Sequence, residues 1–130
     1  EMAASGNCGV EKLNLHHRSP DDREDSLERL QALGLQIPMV YSEIASLECS
    51  AGGVDKASGL RGLCGLMGIS MEEVVMVGDA DNDLTALKAA GLAVAMGNAN
   101  ENVIAACHDQ VADNDNDGCA EAIERFLLGR

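Results

Sequence analysis

The spacing of apolar positions changes character near residue 52. Before it, "KLNLH" (residues 12–16) alternates polar and apolar, as a half-buried strand does. Ser19 then offers a helix cap, Pro20 fits a first turn, and Asp21, Asp22 and Glu24 favour the positive end of a helix. Leu27, Leu30 and Leu33 predict its buried stripe, and Gly34 its end. "PMVYS" and "IASLECS" follow as two β-rich runs close enough to pair as a hairpin, so residues 12–50 read β-α-β-β. After Gly52-Gly53, Lys56–Met67 reads as a helix with Leu60, Leu63, Leu66 and Met67 inward, weakened by Gly59, Gly62 and Gly65. "VVMV" (74–77) and "LAVA" (92–95) are continuous apolar runs, as suits strands covered on both faces. "DLTALKAAG" (83–91), "NENVIAAC" and "CAEAIERFLL" read as helices, and "DQVA" as a weak strand. Helix alternating with strand predicts an α/β fold with a parallel sheet covered by helices. The boundary falls at 51–54, giving a tail and smaller unit over 1–51 and a larger unit over 52–130.

Composition narrows this picture. The chain has 130 residues, 46% hydrophobic and 24% charged, which is globular rather than disordered. Tyr41 and Phe126 are its only aromatics, so the core must be built from Val, Leu, Ile, Ala and Met. A formal charge of −13 opposes binding to nucleic acid or anionic membranes and suits a cation-binding protein. No apolar run approaches the ~20 residues of a membrane helix, and "EMAASGNCGVEK", expected to be loosely structured, lacks a secretory signal's basic start and apolar middle. Five cysteines (Cys8, Cys49, Cys64, Cys107, Cys119) without C-x-x-C spacing read as reduced thiols of a cytoplasmic protein.

The chemistry concentrates in "MVGDADNDL" (76–84). Ligands of an open parallel sheet collect beyond the carboxyl ends of its strands. Gly78 makes the tight exit there, and Asp79, Asp81, Asn82 and Asp83 follow. Two carboxylates about 4 Å apart repel by ~4 kcal/mol at an effective dielectric near 20, so such a cluster calls for a cation. Hard oxygen donors suit Mg²⁺, held by one or two carboxylates with phosphate and water. Taken alone, the acids read equally well as a solvated helix start capped by Asn82 or Asp83. Lys56 alters the balance: it opens the helix leading into the acidic strand, and its ammonium could neutralise a carboxylate and a phosphate oxygen together.

The segment "GGVDKASGLRGLCGLMGISMEEVVMVGDADNDLTALKAAGLAVAMGNANENVIAAC" closely resembles the C-terminal half of Cof-type phosphatases of the haloacid dehalogenase (HAD) superfamily. G-V-x-K, G-D-x-x-N-D, A-G-x-x-V-A-M-G-N-A and a closing D-x-D-G occur in order over about residues 52–128. Residues 12–50 resemble, less diagnostically, the end of that family's α/β cap. The resemblance implies a partial HAD-like, Rossmann-like sheet preceded by a β-α-β-β cap remnant. It also implies Mg²⁺-dependent hydrolysis of phosphomonoesters (sugar phosphates or cofactor phosphates) through an aspartyl-phosphate. By it, Lys56 would brace nucleophile and phosphate, Asp79 would ligate Mg²⁺, and Asp83 would be a second acid orienting the metal or its waters. Asn82 would lie near the phosphoryl group and Asn98 at the site's edge.

The family's D-x-D-G-T nucleophile motif is absent from these residues, so the chain alone is expected to be inactive and to self-associate. Asp115-Asn116-Asp117-Gly118 is its nearest counterpart, but Cys119 stands in place of Thr and no buried strand precedes it. Asp113, Asp115, Asp117, Gly118 and Glu124 also match the EF-hand calcium pattern; against that reading, no helix enters the loop and Ala120 is a weak hydrophobic contact. His16, His17 and His108 lack partners at metal-ligand spacing. A receiver domain is disfavoured because Lys56 precedes the acids. The rival class is a non-catalytic cation-binding or regulatory module on the same fold.

Overall fold

A computed structural model describes residues 11–129, so the expectation for the first residues and Cys8 lies outside the described part. The chain divides into two compact units, Glu1–Val54 and Asp55–Arg130.

In the first unit, β1 (Lys12–His16), α1 (Pro20–Ala32), β2 (Met39–Glu43) and β3 (Ser46–Ser50) follow the expected order. The sheet is antiparallel with order β1-β3-β2, and β2 and β3 form the hairpin. Ser19 caps α1 by accepting from the Asp22 amide, with Pro20 in the first turn and Gly34 left-handed beyond the end. Leu27 and Leu30 are half-buried as the stripe predicts, whereas Leu33 sits at the C-cap, beyond the last full turn, and is exposed. Arg23 stacks 3.8 Å from the Tyr41 ring centre and donates to the carbonyls of Glu43 and Ile44, which ties α1 to the hairpin turn.

In the second unit, α2 (Lys56–Met67), β4 (Val75–Gly78), α3 (Leu84–Ala89), β5 (Leu92–Ala95), α4 (Glu101–Ala106), β6 (Asp109–Gln110) and α5 (Gly118–Phe126) build a parallel sheet of order β4-β5-β6. The two-residue strand period divides the apolar side chains between two layers. Leu87, Ala93, Ala95 and Val103 pack with Met76 on one face; Val94, Met96, Val111 and Ala122 pack with Val75, Val77 and Phe126 on the other.

Helix α2 departs from the expected pattern. Its buried residues are Ala57 and Cys64, while Leu63, Leu66 and Met67 are exposed at 53%, 89% and 64%. The small side chains form the face packed toward α3, and the larger ones are left on an open flank. That flank includes Lys56, since positions 56, 60, 63 and 67 share one side of a helix. Strand β4 pairs only with β5 among the described residues, so its other edge is open. On the opposite face, Glu121 and Arg125 turn one flank of α5 toward the β6 segment, leaving Ile123 and Leu127 exposed on the other.

Glycines allow two close approaches. A Cβ on Gly91 would run into the backbone of Glu72, and one on Gly118 into the carbonyl of Ala112. Gly62, by contrast, lies mid-helix with open space around it. Gly118→Ala should therefore destabilise the fold by more than about 2 kcal/mol, as steric overpacking does. Gly62→Ala should stabilise it by about 0.5–1 kcal/mol. Urea unfolding at one protein concentration would check both signs.

Candidate active site

The site is assembled at the carboxyl end of β4. The strand ends at Gly78, Asp79 follows, and a 3-10 turn over Asp81–Asp83 leads into α3. A side chain at Gly78 would place its Cβ 2.7 Å from the Asp83 Cβ. Glycine at the exit is thus what lets Asp83 fold back beneath its own turn.

Asp83 is buried, and both its oxygens are engaged. Oδ1 accepts from the Lys56 ammonium at 2.5 Å, while Oδ2 accepts from the amides of Asp79 (3.1 Å) and Ala80 (3.4 Å). A buried carboxylate needs such donors. Lys56 itself remains 44% exposed, so its side chain meets solvent as well as Asp83. Its placement follows from the cap of α2. Asp55 accepts from the Ser58 amide at 2.7 Å, and the Ser58 hydroxyl bonds back to the Asp55 backbone, forming a reciprocal capping box that starts the helix at Lys56. The Ser58 amide holds the Asp55 carboxyl below the usual range; desolvation opposes it, and the Ser58 and Thr85 side chains and Arg61 add smaller lowering effects.

Asp79 is exposed. Its Oδ2 accepts from the Asn98 side-chain amide at 3.2 Å, and its Oδ1 takes no hydrogen bond among the described residues. Asn98 is held in turn by the Asn114 amide, which donates to its Oδ1 at 3.1 Å. Gly97 permits this approach, since a Cβ there would sit 2.7 Å from the Asp113 nitrogen. Asn82 is half-buried within the same 3-10 turn. Lys56, Asp79, Asp83 and Asn98 are therefore joined by hydrogen bonds into one cluster, with Asn82 between the acids in sequence.

Two further residues belong to this arrangement. Asp81 accepts from the side-chain amides of Asn100 (3.0 Å) and Asn102 (3.2 Å). The density of amides in "NANEN" (98–102), which runs into the first turn of α4, is the sequence signal for them.

The remaining candidates lie elsewhere. Asp113 turns its Oδ1 onto its own loop, accepting from Asp115 N and Asn116 Nδ2, and strand β6 rather than a helix precedes that loop. His108 accepts from the Ala93 amide at the start of β5, and His16 pairs with the Ser46 hydroxyl. Cys49, Cys64, Cys107 and Cys119 are free thiols.

The model of the haloacid dehalogenase-like hydrolases matches residues 10–123. The chain belongs to that family. The Bacillus subtilis 5-amino-6-(5-phospho-D-ribitylamino)uracil phosphatase YcsE is 36% identical over 118 residues, which cover 90% of this chain and 47% of that protein. A B. subtilis haloacid dehalogenase-like hydrolase of known structure aligns with a TM-score of 0.80 at 28% identity, covering 90% of this chain and 41% of its own. A HAD subclass IIB sugar phosphatase gives 0.79 at 28% identity, covering 95% and 46%. The chain thus spans less than half the length of these HAD relatives. No helix among its described residues is long and apolar enough to cross a membrane.

The donor set of this HAD site fits a hard cation only in part. Among the described residues no group of three His, Cys, Asp or Glu side chains is arranged to cage a metal. Asp79 offers an exposed carboxylate with an uncommitted Oδ1, whereas Asp83 already holds three donors. Mg²⁺, which is held through one or two carboxylates with phosphate and water, suits such an open site better than a caged metal would.

The Asp55 cap sets the acid limit of the Lys56 geometry. Its folded pKa lies below the ordinary carboxyl value of 3.8, so its stabilisation is present above that pH and is lost as pH falls through the lower folded value. Asp55→Ala should lower the melting temperature at neutral pH. The gap from the parent should close on acidification below pH 3.8, measured by circular dichroism melts over a pH series.

Proposed function

We propose that this chain is part of a Mg²⁺-dependent phosphohydrolase of the cytoplasm, acting on small phosphorylated metabolites. The observation that carries the reading is the Lys56–Asp83–Asp79 constellation at the end of β4. The ribitylamino-uracil phosphatase and sugar phosphatase among its relatives support a phosphomonoester of a sugar or cofactor type as substrate. On this reading residues 1–51 hold the closing part of a cap and residues 52–130 one half of the catalytic core. The nucleophilic aspartate lies in sequence outside these 130 residues.

Asp79 would hold Mg²⁺ through its uncommitted oxygen, and Asp83 contributes charge and orientation behind it. When bound, the ion would neutralise phosphate oxygens and fix their orientation. Lys56, paired with Asp83, would attract a phosphate oxygen without a proton being moved. Asn82 and Asn98 supply neutral donors at the rim. The phosphoryl group passes from the ester oxygen to a carboxylate, releasing the alcohol, and water then hydrolyses the acyl phosphate to inorganic phosphate. Positioning and charge neutralisation carry most of such a reaction.

The chain alone should not turn over p-nitrophenyl phosphate with Mg²⁺. Activity that survives repurification and disappears in Asp79→Ala would overturn the assignment of the nucleophile to another segment. In the complete protein, Lys56→Ala and Asp79→Ala should each lower kcat by about 10²-fold or more, the scale for losing one charge-stabilising group.

The open β4 edge, together with exposed apolar side chains such as Leu63, Met67, Ile123 and Leu127 elsewhere in the unit, supports self-association of the isolated chain. The charge of −13 opposes this only partly, because salt screens it beyond roughly 8–10 Å whereas strand pairing acts at contact. Light scattering at about 0.15 M salt should report a dimer or larger species, and a stable monomer at high micromolar concentration would argue that this edge is covered.

A further inference from the structure

We propose that Asn100 is a positioning residue for the metal-binding turn, locking Asp79 in one orientation through a clamp on Asp81; the inference rests on the metal role proposed for Asp79. Asn100 bonds to three separate places. Its backbone amide donates to the Asp79 carbonyl at 3.1 Å, and its side-chain amide donates to Asp81 Oδ1 at 3.0 Å. Its side-chain oxygen accepts from the Val103 amide at 3.0 Å, capping α4. No other described residue in the site joins the turn after β4 to the segment after β5 through both backbone and side chain.

These bonds matter because of what holds the other side of Asp79. Its amide donates to Asp83, and its carbonyl accepts from Asn100. Both peptide groups flanking the Asp79 Cα are therefore fixed, one from the α3 side and one from the α4 side. With Asn98 on Oδ2, the carboxylate is left to present Oδ1 outward. Asp81 is held by two neutral donors, Asn100 and Asn102, both on its Oδ1. This keeps Asp81 from turning toward Asp79, where two carboxylates would repel or share a cation. The clamp is anchored, since Val103 is fully buried against Leu87, Ala93 and Ala95. Asn100 thus transmits the rigidity of the core to a carboxylate at the surface, as groups behind a metal ligand do.

The test uses this chain with magnesium chloride as probe, followed by NMR of the backbone amides. Asn100→Ser keeps an oxygen able to cap α4 but removes the donor to Asp81. Asn102→Ala removes the second donor and leaves the cap alone. The Mg²⁺ midpoint at the Asp79 and Ala80 amides should rise about tenfold in Asn100→Ser, with little change in the metal-free melting temperature. Asn102→Ala should move it the same way by less. A parental midpoint in folded Asn100→Ser overturns the proposal. Should Asn100→Ser fail to fold, Asn102→Ala decides: a raised midpoint supports the clamp and an unchanged one overturns it. If the parent chain shows no Mg²⁺-dependent shift at Asp79, the metal reading itself fails. The clamp is then judged by hydrogen exchange at the Asp79 amide, which should be about fivefold faster in Asn100→Ser, the scale of one lost hydrogen bond; equal exchange overturns it.

Discussion

The buried carboxylate of Asp83 is the interaction on which the rest of this site depends. A charge in that position is tolerated only with donors around it, and the chain supplies them from two directions. The amides of Asp79 and Ala80 come from the turn that Asp83 itself closes, and the ammonium comes from Lys56, 27 residues earlier. One side chain therefore shapes the turn after β4 and fixes where α2 must begin. Gly78 is required because Asp83 occupies the space a side chain would need, and Asp55 is required because α2 must start one residue later.

Around this centre the work is divided between charged and neutral groups. The ion pair of Lys56 and Asp83 sets position, Asp79 faces outward, and the asparagines at 98, 100 and 102 supply donors that add no net charge. In a chain of net charge −13, neutral donors hold acids in place without the competing attractions that extra lysines would bring. The chain belongs to a family of haloacid dehalogenase-like hydrolases and spans less than half the length of the relatives it matches.

Much of the fold was legible because its signals are local. Ser19 and Pro20 begin α1, the apolar runs at 74–77 and 92–95 mark strands found at 75–78 and 92–95, and Lys56, read as able to neutralise a carboxylate, bonds Asp83. The inward face of α2 was not legible. Leucines at 63 and 66 outweigh Ala57 and Cys64 on any hydrophobicity count, yet the rotation of the helix is fixed by a polar tie at its first residue. The partners of Asp81 were hidden for a related reason. Asn100 and Asn102 lie 19 and 21 residues away and meet it only because β4 and β5 are adjacent and in register. Periodicity reports burial along one element, whereas these contacts are properties of the sheet.

Helix α2 carries Gly59, Gly62 and Gly65 at every third position, with nothing packed where their side chains would be. Each weakens the helix from within, so its order rests on the cap at Asp55, the small buried face and the pair at Lys56. Local opening in such a segment costs less than opening the sheet beneath it. The lysine of this site thus stands on a helix that its own glycines weaken. When that support frays, the ammonium withdraws and Asp83 is left buried with only its two backbone amides. Ionic chemistry and backbone order are in this way thermodynamically linked: whatever anion engages Lys56 also tightens the helix that carries it, and loosening the helix weakens the hold on that anion in equal measure.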